Sequence, residues 1–515
     1  MSKVNIDKSL PILIISAVVA KIIVSFFVQL GNEEAYYWIY ALYPDWSHYE
    51  HPPMVGWMVQ FFSVNLVLDH QVFLRLGSII IAAANTYMIF RLGTLLKDEL
   101  TGWYAAIMFS SSIYLGIIGG FMIMPDAPLL FFWILAIFCL VKSLPMDPQE
   151  AKSKENMLFF GIAAGLAMMS KYSGSFLWLG ALVYIVFFNR AWFSSWTLYV
   201  SAFITLFLFS PVTLWNMEND YISFTFHQSR LSGVSGIDFI GFLKEVSGGF
   251  IYQNPVIFVL AALALIAAFQ GKNFIDRERK KILFLVSLPL LLAVWCVSLV
   301  SNTLPHWSGP SFVGLVLLAA AWLSDKFGER EVAWPKSMMA AKGLFYVTLV
   351  LGAVVLSTGT GLRGPASDAP DNQLGSGDIS LDMQGWGQVE EGFSAILERD
   401  LSEGKINEGP ALISYEWSPA AHIDYYVARP NGLDLYAIGP VGDIRKYHWT
   451  NPLKAGLSKG RDAYCIAPSN RFKDPATLYG DLFDNIELAG TVKISRGGIH
   501  VRNALVYRMR GYRGE

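Results

Sequence analysis

The sequence predicts a polytopic α-helical membrane protein that ends in a small α/β domain. Three observations carry this prediction. Apolar runs of helical length recur through residues 1–360. Charged residues make up 16% of the chain, against about 25% in soluble domains. Beyond residue 361 the composition turns abruptly to Gly, Pro, Asp and Ser, a linker signature, before mixed polar and apolar segments resume.

The first apolar run, 11–30, follows Lys3 and Lys8 and has no small-residue cleavage site after it. It is long enough to cross a bilayer and reads as a retained span rather than a leader. Further runs lie near 72–94, 102–120, 127–143, 157–170, 174–188, 193–215, 248–269, 283–300, 309–325 and 341–360, which predicts about eleven transmembrane helices. Two of them are short and flank Ser170-Lys171-Tyr172-Ser173-Gly174. Such a polar break is tolerated at membrane depth only where it faces protein or water.

With the N-terminus inside, one set of loops carries Lys3, Lys8, Arg91, Lys97, Lys142, Lys152, Lys154, Arg190, Arg277, Arg279, Lys280, Lys281, Lys326, Arg330 and Lys336. The opposite loops are poorer in Lys and Arg, so the positive-inside rule makes the first set cytoplasmic. An odd number of passes then places the C-terminal region outside. The predicted organisation is a membrane domain over 1–360 with a first outer loop at 31–71, a linker at 361–380 and a periplasmic α/β domain at 381–515. Within that domain, helical patterns cover 387–402 and 418–428. Strand-like runs cover 411–415, 432–438, 462–467 and 503–509. The multi-pass pattern predicts a bacterial inner-membrane location.

Several function classes are excluded. A formal net charge of −2 gives no strong attraction for nucleic acid. Cys139, Cys296 and Cys465 build neither a disulfide framework nor a Cys-type zinc site. There is no Gly-rich phosphate loop in a βαβ context, no nucleotide-sugar Asp-X-Asp and no nucleophile elbow.

The candidate chemistry lies in the outer loops. Glu33 and Glu34 stand at the mouth of the first span, where carboxylates are costly unless solvated or used. Aromatics over 34–43 have helical spacing and predict an amphipathic helix lying in the interface. Asp126 follows Pro125 and reads either as a helix N-cap or as a second site carboxylate. Lys171, between two apolar helices, needs a carboxylate partner or a phosphate. His227, Arg230 and His306 are lone outer-face candidates for phosphate or sugar contact.

Taken together, Glu33-Glu34-Ala35-Tyr36-Tyr37-Trp38 and Glu50-His51-Pro52-Pro53-Met54 resemble the first-loop motifs of one family. It is that of the GT-C membrane glycosyltransferases related to protein O-mannosyltransferases and to the lipid A aminoarabinose transferases. Met124-Pro125-Asp126-Ala127-Pro128-Leu129-Leu130, Leu166–Gly174, Pro305–Pro310 and Asp382-Met383-Gln384-Gly385-Trp386 extend the resemblance. It is strongest over 31–60 and 120–175 and weaker over the C-terminal domain.

The resemblance implies transfer of a sugar from a polyprenyl-phosphate donor, with inversion, to an acceptor on the outer face. That acceptor is lipopolysaccharide or lipid A, another envelope glycan, a lipid or a protein. Glu33 or Glu34 would deprotonate the acceptor hydroxyl, and Asp126 would orient acceptor or sugar. His51, Lys171, Tyr172, Arg230 and His306 would face donor phosphate and sugar. Glu50 and His51 are candidate ligands for a divalent metal, which the chemistry does not require. The rival reading is a transporter or flippase for lipid-linked sugars. Against it, the ionisable groups gather at the outer ends of the helices, and no internal repeat is visible.

Overall fold

The computed structural model describes residues 6–230, 236–328, 334–359 and 370–514. Lys3, Arg330 and the linker positions 361–369 lie outside the described residues. The chain forms two compact units. A helical unit comprises Met1–Ile23 and Pro44–Leu349, and an α/β unit comprises Val24–Tyr43 and Val350–Glu515.

In chain order the helices up to residue 358 are α1 (Ile6–Phe27), α2 (Asn32–Leu42), α3 (Met54–Phe62), α4 (Gln71–Leu96), α5 (Glu99–Phe109), α6 (Asp126–Ser143), α7 (Ala151–Ser170), α8 (Phe176–Phe188), α9 (Trp196–Glu218), α10 (Ile222–Ser229), α11 (Phe239–Tyr252), α12 (Pro255–Phe269), α13 (Arg277–Ser298), α14 (Ser311–Phe327) and α15 (Lys336–Thr358). Six of them, α1, α4, α6, α9, α13 and α15, are long and apolar enough to cross a membrane. The pair α11–α12 adds a seventh if counted as one span.

Every predicted apolar run contains a helix, but not every run is one continuous pass. The run at 102–120 breaks after α5, because Ser110 and Ser111 turn their hydroxyls back onto the Ile107 carbonyl (3.2 and 2.6 Å). A π-helical turn, Tyr114–Ile118, follows the break. The run at 248–269 begins earlier, at Phe239, and bends by 108° at Gln253-Asn254. Pro255 disfavours helix at the residue before it. Asn254 accordingly takes φ 69° and donates its amide to the Ser111 and Ala341 carbonyls (3.0 and 2.9 Å).

Close helix approach rests on small residues. Gly161 and Gly165 of α7 face α9, and a Cβ at Gly161 would stand 2.4 Å from the Ser201 carbonyl oxygen. The vacated space lets Ser201 donate to the Met157 carbonyl and Thr205 to the Gly161 carbonyl, each at 2.8 Å.

The α/β unit is built on a five-stranded sheet of order β2-β1-β3-β5-β4: β1 (Ala411–Ser414), β2 (Leu435–Ala437), β3 (Ala463–Pro468), β4 (Phe483–Arg496) and β5 (Ile499–Tyr512). β1 is parallel to β2 and β3, whereas β5 runs antiparallel to β3 and β4. The strand patterns at 411–415, 432–438, 462–467 and 503–509 fall on β1, β2, β3 and β5. β4 had no apolar signature because it is an edge strand carrying Asp484, Asn485, Glu487 and Lys493. Helix α16 (Trp386–Ser402) packs on β4, and α17 (Trp417–Ile423) continues into a π-helical turn, Asp424–Ala428. Asp400 of α16 is fully buried and held by Arg508 Nε (2.9 Å) and the Tyr464 hydroxyl (2.8 Å). In the described part of the predicted linker, the Asp371 carbonyl accepts from Asn503 and Asp378 pairs with Arg496, each at 2.9 Å.

One expectation is overturned in detail. The aromatic stretch 34–43 is helical, as α2, but eight of its eleven residues are buried, so it does not lie open as an interfacial helix. Its rings pack inside the α/β unit: Tyr36 on Trp417 (4.9 Å between centroids) and Trp38 on Tyr425 (5.1 Å).

Candidate functional site

In the helical unit the site begins at the N-terminus of α6. Pro125 is the N-cap and Asp126 the first helical residue, so the Asp126 carboxylate does not cap its own helix. It is fully buried, accepts the Tyr114 hydroxyl at 2.6 Å and pairs with Lys171 Nζ at 3.0 Å to each oxygen. Lys171 sits where α7 ends, in extended backbone (φ −157°, ψ 140°), and the 3-10 turn Tyr172–Ser175 follows. The polar break predicted from the sequence thus turns a lysine inward onto a carboxylate 45 residues earlier. Tyr114 is held in its turn by Gly309, where a Cβ would come within 2.2 Å of the phenol ring.

Three histidines and an arginine share this neighbourhood. The segment 48–51 is tied to α10: Ser223 donates to the His48 carbonyl and His227 Nε2 donates to the Glu50 carbonyl, both at 2.8 Å. The rings of His51 and His227 lie 6.2 Å apart, and Tyr172 stands edge-on to His227 at 5.2 Å. The Arg230 guanidinium lies over Phe226 (4.5 Å) and Trp307 (5.6 Å). His306 rides on a loop pinned to the buried Glu245, which accepts from Thr303 (2.7 Å) and Ser308 (3.2 Å).

The imidazoles are electrostatically coupled. Burial pushes His51 well below its ordinary value, and Lys171, His227, His306 and Arg230 push the same way. His306 is lowered to about 4, first by burial and then by Lys171, with Asp126 opposing and Arg230 reinforcing. Burial also lowers His227, against the hydrogen bond to Glu50. All three are therefore neutral near pH 7, set among Lys171, Arg230 and the single carboxylate that bears on His306. An arriving anion would meet two fixed cations and three groups able to take up a proton.

In the α/β unit, Glu34 is buried and its Oε2 accepts the Gly31 N–H at 2.9 Å, a helix-capping bond. Glu33, the next residue back, is partly exposed. The structure therefore gathers Asp126, His51, Lys171, Tyr172, His227, Arg230 and His306 in the helical unit, and holds Glu33 and Glu34 on α2 of the α/β unit. Sequence reasoning missed Tyr114 and Glu245. Both lie in or beside apolar runs with no motif around them, and only the fold brings them to Asp126 and to the His306 loop. Among the described residues, no group of three or more His, Cys, Asp or Glu is arranged to hold a metal ion.

Residues 50–215 match the family model described as dolichyl-phosphate-mannose-protein mannosyltransferase. The lipid A galacturonosyltransferase RgtD of Rhizobium johnstonii is 23% identical over 315 residues, or 59% of this chain. The chain spans 62% of the length of that curated relative. The crystal structure of ArnT from Cupriavidus metallidurans in the apo state superposes with a TM-score of 0.65 at 12% identity, covering 98% of both chains. The same protein bound to undecaprenyl phosphate gives 0.64, with the same identity and coverage. At that identity the likeness carries the fold, and the fold is shared nearly end to end. The family model and the shared architecture point the same way: the chain has the fold of a GT-C-type membrane glycosyltransferase and, over residues 50–215, matches the mannosyltransferase family.

Proposed function

We propose that the protein transfers a sugar from a polyprenyl-phosphate donor to lipid A or a related envelope acceptor. The observation that carries this is the cluster in which Lys171, paired with the buried Asp126, and Arg230 act together on His51, His227 and His306. A leaving phosphate needs charge stabilisation that is already in place when the bond breaks. Lys171 and Arg230 supply fixed positive charge, and the neutral imidazoles supply hydrogen bonds that strengthen on protonation. The name of RgtD and the ligand of the ArnT structure favour the same donor and acceptor classes.

In this reading Glu33 is the base. Glu34 is occupied as a helix cap, whereas Glu33 is partly exposed. The Glu33 carboxylate takes the proton of the acceptor hydroxyl, and that oxygen attacks the anomeric carbon. The bond to the prenyl phosphate oxygen then breaks, with inversion. Asp126 holds Lys171 in register and is itself steadied by Tyr114. The reading carries with it about eleven passes, a cytoplasmic N-terminus and a periplasmic C-terminal domain. A divalent metal, if used, would be bound by Glu50 and His51.

The test compares envelope lipids and glycans of a deletion strain and its parent by mass spectrometry. The expected result is loss of one sugar, restored by the wild-type chain. Glu33→Gln should restore it about 10²–10⁴-fold more slowly. An unchanged envelope, or full restoration by Glu33→Gln, overturns the reading or its base respectively.

A further inference from the structure

The motif Asp382–Trp386 has no role in the chemistry above, yet it lies beside the helix that carries Glu33. The α/β unit grips the start of α2 at four positions. The Gln29 side-chain oxygen accepts the Trp386 N–H at 3.0 Å. The Leu30 N–H donates to the Tyr426 hydroxyl at 2.8 Å. The Asn32 amide donates to Asp382 Oδ2 at 2.8 Å and accepts from His422 Nε2 at 2.9 Å. The Tyr36 hydroxyl accepts the Lys446 N–H at 3.1 Å. Glu33 lies inside this grip, one residue after Asn32.

The central contact is the most constrained. A carboxylate can only accept, so Asp382 takes the Asn32 NH2 group and leaves the amide oxygen to His422. His422 must then carry its proton on Nε2. It is fully buried and stacks on Trp386, with ring centroids 4.6 Å apart and planes within 5°. Arg502 lies over the same Trp386 ring at 4.8 Å. Asp382 is fixed in turn by Arg471 (2.6 Å) and Asn470 (3.2 Å). Each partner of Asn32 is thus itself immobilised, as an aimed catalytic group requires.

We infer that His422 and Asp382, acting through Asn32, are positioning residues that aim the Glu33 carboxylate, and that aiming this base is a task of the C-terminal unit. The inference rests on Glu33 being the base. A displacement of about 1 Å at a reacting group is enough to cost about 10²-fold in rate.

The test uses the full chain in the deletion strain, at matched membrane levels. It reads the rate at which the missing sugar is restored after induction, together with thermal melting and undecaprenyl phosphate binding of the purified protein. His422→Phe keeps the aromatic stack but removes the donor, and Asn32→Ala removes the link. Both should slow transfer by about 10–100-fold with undecaprenyl phosphate binding within twofold of wild type. His422→Gln, which retains an N–H donor, should recover most of the rate. Rates within twofold of wild type for both variants, or a loss that only follows the loss of folded protein, overturn the inference. Glu33→Gln is run alongside. If it is fully active the base assignment fails, whereas an inactive Glu33→Gln beside active His422→Phe and Asn32→Ala sinks only the positioning role.

Discussion

The two polar clusters of this molecule are built on opposite plans. Around Asn32 the polar groups are tied to one another within the unit: Asp382 is met by Arg471, Arg502 donates to the Leu381 and Gln384 carbonyls, and the pKa of His422 is lowered to about 3, chiefly by burial with Arg502 and Arg471 adding to it. Around Asp126 the carboxylate pairs with Lys171, and Lys171 and Arg230 both push the three imidazoles towards their neutral form. In the proposed reading the first cluster, closed by hydrogen bonds within its unit, holds a backbone still, whereas the second, with imidazoles able to take up protons, receives an anion. The difference would separate fixing a base from receiving a phosphate.

The sharpest way to break this comparison is at the Asp126–Lys171 pair. Asp126→Ala should destabilise the helical unit by about 3–5 kcal/mol, because it strands a buried ammonium. The double variant Asp126→Leu, Lys171→Leu should be milder, yet it should abolish binding of undecaprenyl phosphate. Thermal melts and lipid binding in nanodiscs read both effects. A double variant that binds like wild type would remove Lys171 from the phosphate reading.

A smaller effect is expected at Arg230. Its guanidinium rests on the Phe226 and Trp307 rings. Arg230→Ala should weaken undecaprenyl phosphate by about 10–100-fold, the worth of a charged hydrogen bond, with little change in melting temperature.

The imidazoles set a pH signature of definite sign. A bound phosphate raises their pKa values, so protons are taken up and affinity should rise as pH falls from 8 to 6. Stability moves the other way. Below about 6.5 the unfolded histidines bind protons that folded His51, His227 and His306 refuse. Stability should therefore drop as pH falls from about 6.5 towards 4. Binding isotherms and melts across this range check both slopes. The smallest expected effect is that of chelation: treatment with EDTA should leave the transfer rate unchanged, and a loss restored by one divalent cation would assign Glu50 and His51 as ligands.

Much of the fold was legible because lipid demands long apolar runs. The six helices that are long and apolar enough to cross a membrane all coincide with predicted runs. What the pattern could not convey were local polar devices within those runs. The serines after α5 and the Asn254-Pro255 bend each divide a run that hydropathy reads as continuous. In the site, the residue types at 33, 51, 126 and 171 stood out because charge near apolar sequence is costly. Their partners did not. Tyr114 looks like any apolar aromatic, and the pairing of Asn32 with His422 spans 390 residues. The burial of α2 was hidden for the same reason, since Trp417 and Tyr425 lie nearly 400 residues downstream and the local spacing only describes an amphipathic helix.

The contact between Gly309 and Tyr114 bears on how this protein can vary. With the phenol ring 2.2 Å from where a methyl carbon would sit, even alanine would push Tyr114 away from Asp126. A saturation scan scored by growth or by lipid mass should show position 309 as intolerant as the acidic positions, although it carries no side chain at all. Shrinking the ring at 114 should not restore tolerance there, since it removes the hydroxyl that Asp126 accepts. That failure to compensate would mark how tightly the loop at 305–310 and a buried carboxylate are yoked through one aromatic side chain.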